Sequence, residues 1–265
     1  MLNSPHAHPN IRMAKGVAVN VREGDRRGEW FVPSYGPLRL RVFLGLLFLP
    51  YTGMVLAFTV IGAMLAETVH WDRVAALLFI YFLGLGVGAH ALDAIGAAGV
   101  RPWGEIFSRR QLKALAVFSL VGAYALGIYY MLVHVPLLWP IAIAEGFFVF
   151  AYNLEWFRGR FHTDAWVAFS WGALPVLAGY VMQTNRLSAA VLIVATAMAL
   201  LSLVEIKASR PYKQLKREGM HPPQPELPEG EGSAAHMRQY ELILKSISLG
   251  VILLGLGLMV ARWHG

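Results

Sequence analysis

The chain has 265 residues, of which 57% are apolar and only 15% charged, and its net charge is +7. That is too apolar for a soluble domain of this length and matches a polytopic membrane protein. Cysteine is absent, which excludes a disulfide framework, a thiolate metal site and a thiol nucleophile. The basic residues lie between apolar runs, so the partner they imply is the anionic face of a bilayer and not a nucleic acid.

Residues 1–37 are polar and proline-punctuated, and carry Arg12, Lys15, Arg22, Arg26 and Arg27. They read as a flexible basic cytoplasmic arm without a fold of its own, with Trp30-Phe31 resting at the membrane interface. No short apolar run with a cleavage site stands near the start, so insertion is expected to rely on the first spanning helix. Residues 38–265 read as a single transmembrane domain. Its seven apolar runs lie at about 40–66, 72–93, 111–132, 135–154, 164–183, 187–206 and 239–262. Each is near the roughly 20 residues needed to cross a bilayer. Pro50, Pro140 and Pro175 fall inside runs, as membrane helices tolerate.

Basic residues gather before the first run and after the second, fourth and sixth. Arg39, Arg41, Arg101, Arg109, Arg110, Lys113, Arg158, Arg160, Lys207, Arg210, Lys213, Lys216 and Arg217 are the main ones. The positive-inside rule then places the N-terminus in the cytoplasm and the C-terminus outside, in a plasma membrane. The stretch 207–237, with HPPQPELPEGEG at 221–232, reads as a cytoplasmic loop or lid.

Four groups of residues carry candidate chemistry. His90 and Asp93 stand one turn apart at the cytoplasmic end of the second run, where they could share a divalent cation or simply cap a helix end. Tyr152, Asn153, Glu155, Arg158, Arg160, His162 and Asp164 form the fourth loop; its arginines could hold phosphate oxygens or merely obey the charge rule. Glu205 and Lys207 end the sixth run, either as an interfacial ion pair or as a second acidic site across the bundle from Asp93. Two such acids could share Mg²⁺ with a diphosphate, because Mg²⁺ prefers oxygen ligands. Glu145 lies deep in the fourth run, where a carboxyl must face the interior or a wet cavity.

Two stretches carry a resemblance. Residues 151–188, AYNLEWFRGRFHTDAWVAFSWGALPVLAGYVMQTNRLS, and residues 88–112, with His90, Asp93 and Arg101-Pro102, look like segments of the UbiA superfamily of intramembrane prenyltransferases. The likeness covers about 40–206. It implies an all-α, UbiA-like membrane helical bundle; the apolar runs give about seven transmembrane helices, fewer than the family usually has. It also implies transfer of an isoprenoid (an alkyl group other than methyl) from a polyprenyl diphosphate to an acceptor, usually with Mg²⁺. Carried onto this chain, Asp93, Glu145, Asn153 and Glu205 would be catalytic. His90, Arg101, Tyr152, Glu155, Arg158, Asp164 and Lys207 would bind substrate, and His90, Asp93 and Glu205 would hold the metal. Tyr124, Phe148, Tyr152 and Trp171 would shield an allylic carbocation.

The chain departs from the family's pattern in both acidic motifs. The first has His90 and a single Asp93 where several acids are usual, and the second has Glu205, Lys207 and Ala208 with no acid pair. The second reading is therefore a non-catalytic isoprenoid- or quinone-binding membrane protein or complex subunit that keeps the fold. A transporter would need an internal repeat, and none stands out.

Overall fold

The computed structural model describes residues 26–96, 103, 106–218 and 230–264. The chain is an all-helical membrane bundle, and no strand occurs among the described residues. Helices α1 (Leu38–Leu46) and α2 (Leu49–Met64) are an apolar pair bent by 42° at the break between them. The bend has a local cause. Phe48 takes a left-handed backbone (φ 45°), and Pro50 occupies the first turn of α2, where its missing N–H costs nothing. Thr52 donates from its hydroxyl to the Leu47 carbonyl at 2.7 Å and satisfies an acceptor the break leaves behind.

The longer helices are α3 (Trp71–Gly96), α4 (Arg109–Val133), α6 (Asp164–Thr184), α7 (Ala189–Glu218) and α8 (Gly230–His264). Five described helices are long and apolar enough to cross a membrane, and six crossings result when α1 and α2 count as one. The remaining apolar helix, α5 (Leu138–Asn153), has 16 residues.

Two of the expected boundaries are different in the folded chain. Residues 207–218 and 230–237 are helical continuations of α7 and α8, so the expected loop at 207–237 shrinks to 219–229, which lies outside the described residues. The continuation of α7 is rich in Lys, Arg and Gln, all good helix formers. It is also packed: Ala208 and Tyr212 meet Leu244 of α8, with Trp30 against the cluster. Residues 26–37, expected as part of a loose arm, dock on the bundle. Phe31 and Val32 join a cluster with Phe48, Leu46 and Trp103. Lys216 donates to the Gly28 carbonyl at 2.7 Å and pairs with Glu29 at 3.1 Å.

The centre of the bundle is the contact of α2 with α6 and α8. Two glycines set its closeness. A Cβ on Gly62 would collide with the carbonyl oxygen of Val176, and one on Gly179 would collide with that of Thr59. Small residues let membrane helices meet backbone to backbone, which maximises dispersion contact where no hydrophobic drive separates helix from lipid. The end away from the basic residues is fastened by polar contacts. Gln183 accepts from the His70 amide at 2.7 Å, Asn185 accepts from the Leu137 amide at 2.9 Å, and Arg262 donates to the carbonyls of Ala66 and Glu67.

Candidate functional site

The opposite end of the bundle holds a cavity of ≈ 690 Å³, within the range usual for small-molecule sites. Two π-helical segments flank it. In α3, residues Phe82–Ala89 form a π segment, and His90 and Asp93 follow directly. In α6, Phe169–Ala173 form another, and Trp171 lies within it. Such wide turns occur frequently at functional sites, because they re-aim side chains within an otherwise regular helix. The glycines of the first segment allow close packing: a Cβ on Gly86 would come within 2.8 Å of the Thr52 side chain, and one on Gly88 within 2.9 Å of Leu120.

His90 is buried, its Nδ1 lies 3.0 Å from the Gly86 carbonyl, and its ring stacks on Phe48 with centroids 4.7 Å apart. The Trp171 ring also lies close to it, with centroids 5.4 Å apart. Asp93 is paired with Arg26 at 3.1 Å, and the Arg26 guanidinium also lies over the Phe48 ring at 5.3 Å. From the end of α5 come Tyr152 and Asn153. The His162 ring stacks on Tyr152 at 4.1 Å with an interplanar angle of 6°. Thr163 caps α6 and sets Asp164 in its first turn, where a carboxylate is favoured. Asp164 is held by Lys207 at 2.8 Å and by Arg210.

Helix α7 supplies one wall. Ser202, Glu205, Ser209, Lys213 and Arg217 recur at helical spacing and line the cavity, with Arg210 beside them. Glu205 is only 6% exposed, and its Oε1 has no hydrogen-bond partner within the protein. A buried carboxyl oxygen left unpaired is costly and points to a group that completes it from outside. The cavity is thus polarised. By position along the helices, Arg210, Lys213 and Arg217 lie on the continuation of α7 beyond its apolar run and Arg26 on the docked N-terminal segment, which makes that end the mouth, and Met54, Val55, Phe58 and Trp171 lie within the spanning helices and make the apolar depth.

No family model, no curated protein and no solved structure matches this chain. The functional reading therefore rests on the cavity.

Of the residues singled out from the sequence, His90, Asp93, Tyr152, Asn153, Asp164 and Glu205 are brought together around it. Others are not. Glu155 and Arg158 are exposed on the loop between α5 and α6, with left-handed backbones (φ 51° and 60°), and lie outside the lining. Lys207 also lies outside and serves by holding Asp164. Glu145 and Tyr124 line a separate pocket, and Phe148 packs among Phe161, Trp166 and Phe169. Arg101 is outside the described residues.

The expected metal set is not assembled. Among the described residues, no three His, Asp or Glu side chains converge to hold a metal ion. Each member is otherwise placed: the His90 ring packs against Phe48 and Trp171, Asp93 is engaged by Arg26, and Glu205 comes from a different helix. The three-residue set of His90, Asp93 and Glu205 expected from the resemblance is therefore not brought together. What the sequence reading missed is cationic: Arg26, Lys213 and Arg217. The signal for the last two was the stripe of polar residues that starts at Ser202 and keeps to one face of α7.

Proposed function

We propose that this chain is an integral-membrane prenyltransferase-like protein that takes a polyprenyl diphosphate into the polarised cavity and passes the isoprenoid to an acceptor. The observation that carries this reading is the cavity's division into a cationic mouth and an aromatic, apolar depth. A diphosphate is a multiply charged anion that guanidinium and ammonium groups recognise through short, charge-assisted hydrogen bonds. An isoprenoid chain is a hydrocarbon, and the residues below the mouth suit it.

In this reading Arg26, Arg210, Lys213 and Arg217 hold the diphosphate and neutralise the charge it gains as it leaves. The allylic C–O bond breaks and the electron pair departs with pyrophosphate. The resulting cation faces Phe48, Phe58 and Trp171, whose rings stabilise positive charge through their faces. A nucleophilic atom of the acceptor forms the new bond to the allylic carbon, and its proton passes to Glu205. The unpartnered Glu205 Oε1 is the group that would orient that acceptor. His90 and Asn153 shape the passage between head and tail. No step is assigned to a metal.

The topology that accompanies this reading has seven crossings: α1–α2 as one, then α3, α4, α5, α6, α7 and α8. The N-terminus is cytoplasmic, the C-terminus outside, and the membrane is the plasma membrane. It is supported by the gathering of Arg26, Arg210, Lys213 and Arg217 at one end of the bundle.

One observation favours the second reading, a lipid-binding protein without catalysis. Two of the three acids that line the cavity are already engaged, Asp93 by Arg26 and Asp164 by Lys207 and Arg210. The two readings separate in one experiment. Purified protein in lipid nanodiscs is given farnesyl or geranylgeranyl diphosphate with a membrane extract, and pyrophosphate release and donor binding are both measured. Release above the rate without protein supports transfer. Donor bound without release supports the second reading, and neither binding nor release rejects both.

A further inference from the structure

A second pocket lies between α3, α4, α5 and α6 and shares no lining residue with the main cavity. Its walls are Leu77, Ile80, Leu85, Met131, Val149 and similar apolar groups. One polar point interrupts them. The Tyr81 hydroxyl donates to Glu145 Oε1 at 2.9 Å, and the Tyr124 hydroxyl lies against Gly146, the next residue along α5. These groups lie deep in their helices: Tyr81 is ten residues into α3, about 15 Å along the axis, and Glu145 is mid-way along α5. A carboxyl at such depth is expensive and marks a functional site unless its oxygens are satisfied. Tyr81 supplies one donor, and a carboxyl has room to accept more.

We propose that this pocket binds the hydroxyl end of a long-chain alcohol, with Glu145 accepting the ligand's hydrogen bond. Volume and chemistry select this class. The space at its inner end is ≈ 90 Å³, about three water-sized groups and smaller than the roughly 150 Å³ cavity that admits a benzene ring. It takes a hydroxyl and the first carbons of a chain, not a ring system. A phospholipid headgroup stays at the interface and does not reach this depth, and the pocket lining contains no cation for a phosphate. A quinone headgroup is itself a ring system and is excluded by the same size. The rest of the chain leaves past Tyr124, which is 37% exposed on the lipid-facing side of α4.

The test uses photo-cross-linking in nanodiscs with two probes of equal length, each with a diazirine in the chain. One ends in a primary hydroxyl and the other in a methyl group. The alcohol is expected to label peptides containing Tyr81, Tyr124 and Glu145 at least about tenfold more than the hydrocarbon, the factor that about 1.4 kcal/mol confers. Glu145→Leu removes the acceptor and should erase that preference. Gly127→Leu should abolish labelling by filling the pocket while Glu145 and Tyr81 remain. A Cβ at Gly127 meets only Ile80 and Met131 side-chain tips at 3.9 Å, so this variant keeps the inference testable if Glu145→Leu fails to fold. Asp93→Asn, in the other cavity, should leave labelling unchanged. Equal labelling by both probes would mean that bilayer chains fill the pocket without selection and would overturn the proposal. So would full labelling in Gly127→Leu.

Discussion

Replacing Arg210 and Lys213 together by glutamine is expected to weaken binding of a polyprenyl diphosphate by at least about a hundredfold. Each charge-assisted hydrogen bond contributes roughly 1.5–3 kcal/mol, so two account for roughly 3–6 kcal/mol, or a factor of about 10²–10⁴. The helix should survive, because Arg, Lys and Gln have similar helix propensities. Asp164 keeps Lys207 as its partner when Arg210 is lost, so the start of α6 stays fastened. The control is a polyprenyl alcohol, which carries the same tail without the charge and should bind the variant and the parent protein alike. Binding measured by isothermal titration in nanodiscs decides the matter, and unchanged diphosphate affinity would remove the cationic mouth from the mechanism. Glu205→Gln complements it. Donor binding should persist while turnover falls by about 10²–10⁴, the usual cost of losing a positioned proton acceptor.

The largest structural effect is expected from Gly179→Leu. Its Cβ would come within 2.1 Å of the Thr59 carbonyl oxygen, a backbone atom that cannot rotate away. Helices α2 and α6 would have to separate, which would unpack Phe58, Val176, Val181 and Met182, all fully buried. Overpacking costs about 1–3 kcal/mol when side chains can yield, and more where only backbone can move. Gly62→Leu should fail for the reciprocal reason, against the Val176 carbonyl. Gly250→Ala is the contrast, with nothing within 4 Å of an added Cβ. It should be neutral or stabilising by up to about 1 kcal/mol, from helix propensity. Size-exclusion profiles after stepwise heating in detergent report both outcomes. A Gly179→Leu protein with parental heat resistance would show that the two helices are not in the contact described.

What the sequence revealed and what it concealed follow from the range of the forces involved. Apolar run length responds to bilayer thickness, a local property, so the ends of α3, α4 and α6 lie within three residues of the expected runs. His90, Asp93, Asn153 and Glu205 stood out because polar groups at the ends of apolar runs demand an explanation. Arg26 could not be placed in the same way. Its partner Asp93 is 67 residues away, and nothing local in a polar arm foretells that it docks. Arg158 misled for the opposite reason, since a basic loop residue satisfies the charge rule wherever its side chain points. Glu145 was recognised as costly, yet Tyr81, the group that receives it, lies on another helix and emerged only with the packing of α3 on α5.

The π segment at Phe82–Ala89 ties the chemistry of this protein to a count of residues. An α-helix advances about 100° per residue, and a π turn accommodates one residue more than an α turn. Straightening this stretch to ordinary α-helix with all its residues kept would leave one residue over and turn everything beyond it by about 100°. His90 and Asp93 would then leave the cavity and face neighbouring helices, with every side chain of the site still encoded. Deleting one residue from Gly84-Leu-Gly-Val-Gly at the same time would absorb that rotation, so a chain shorter by one residue here would carry a plain helix and still present His90 and Asp93 to the cavity.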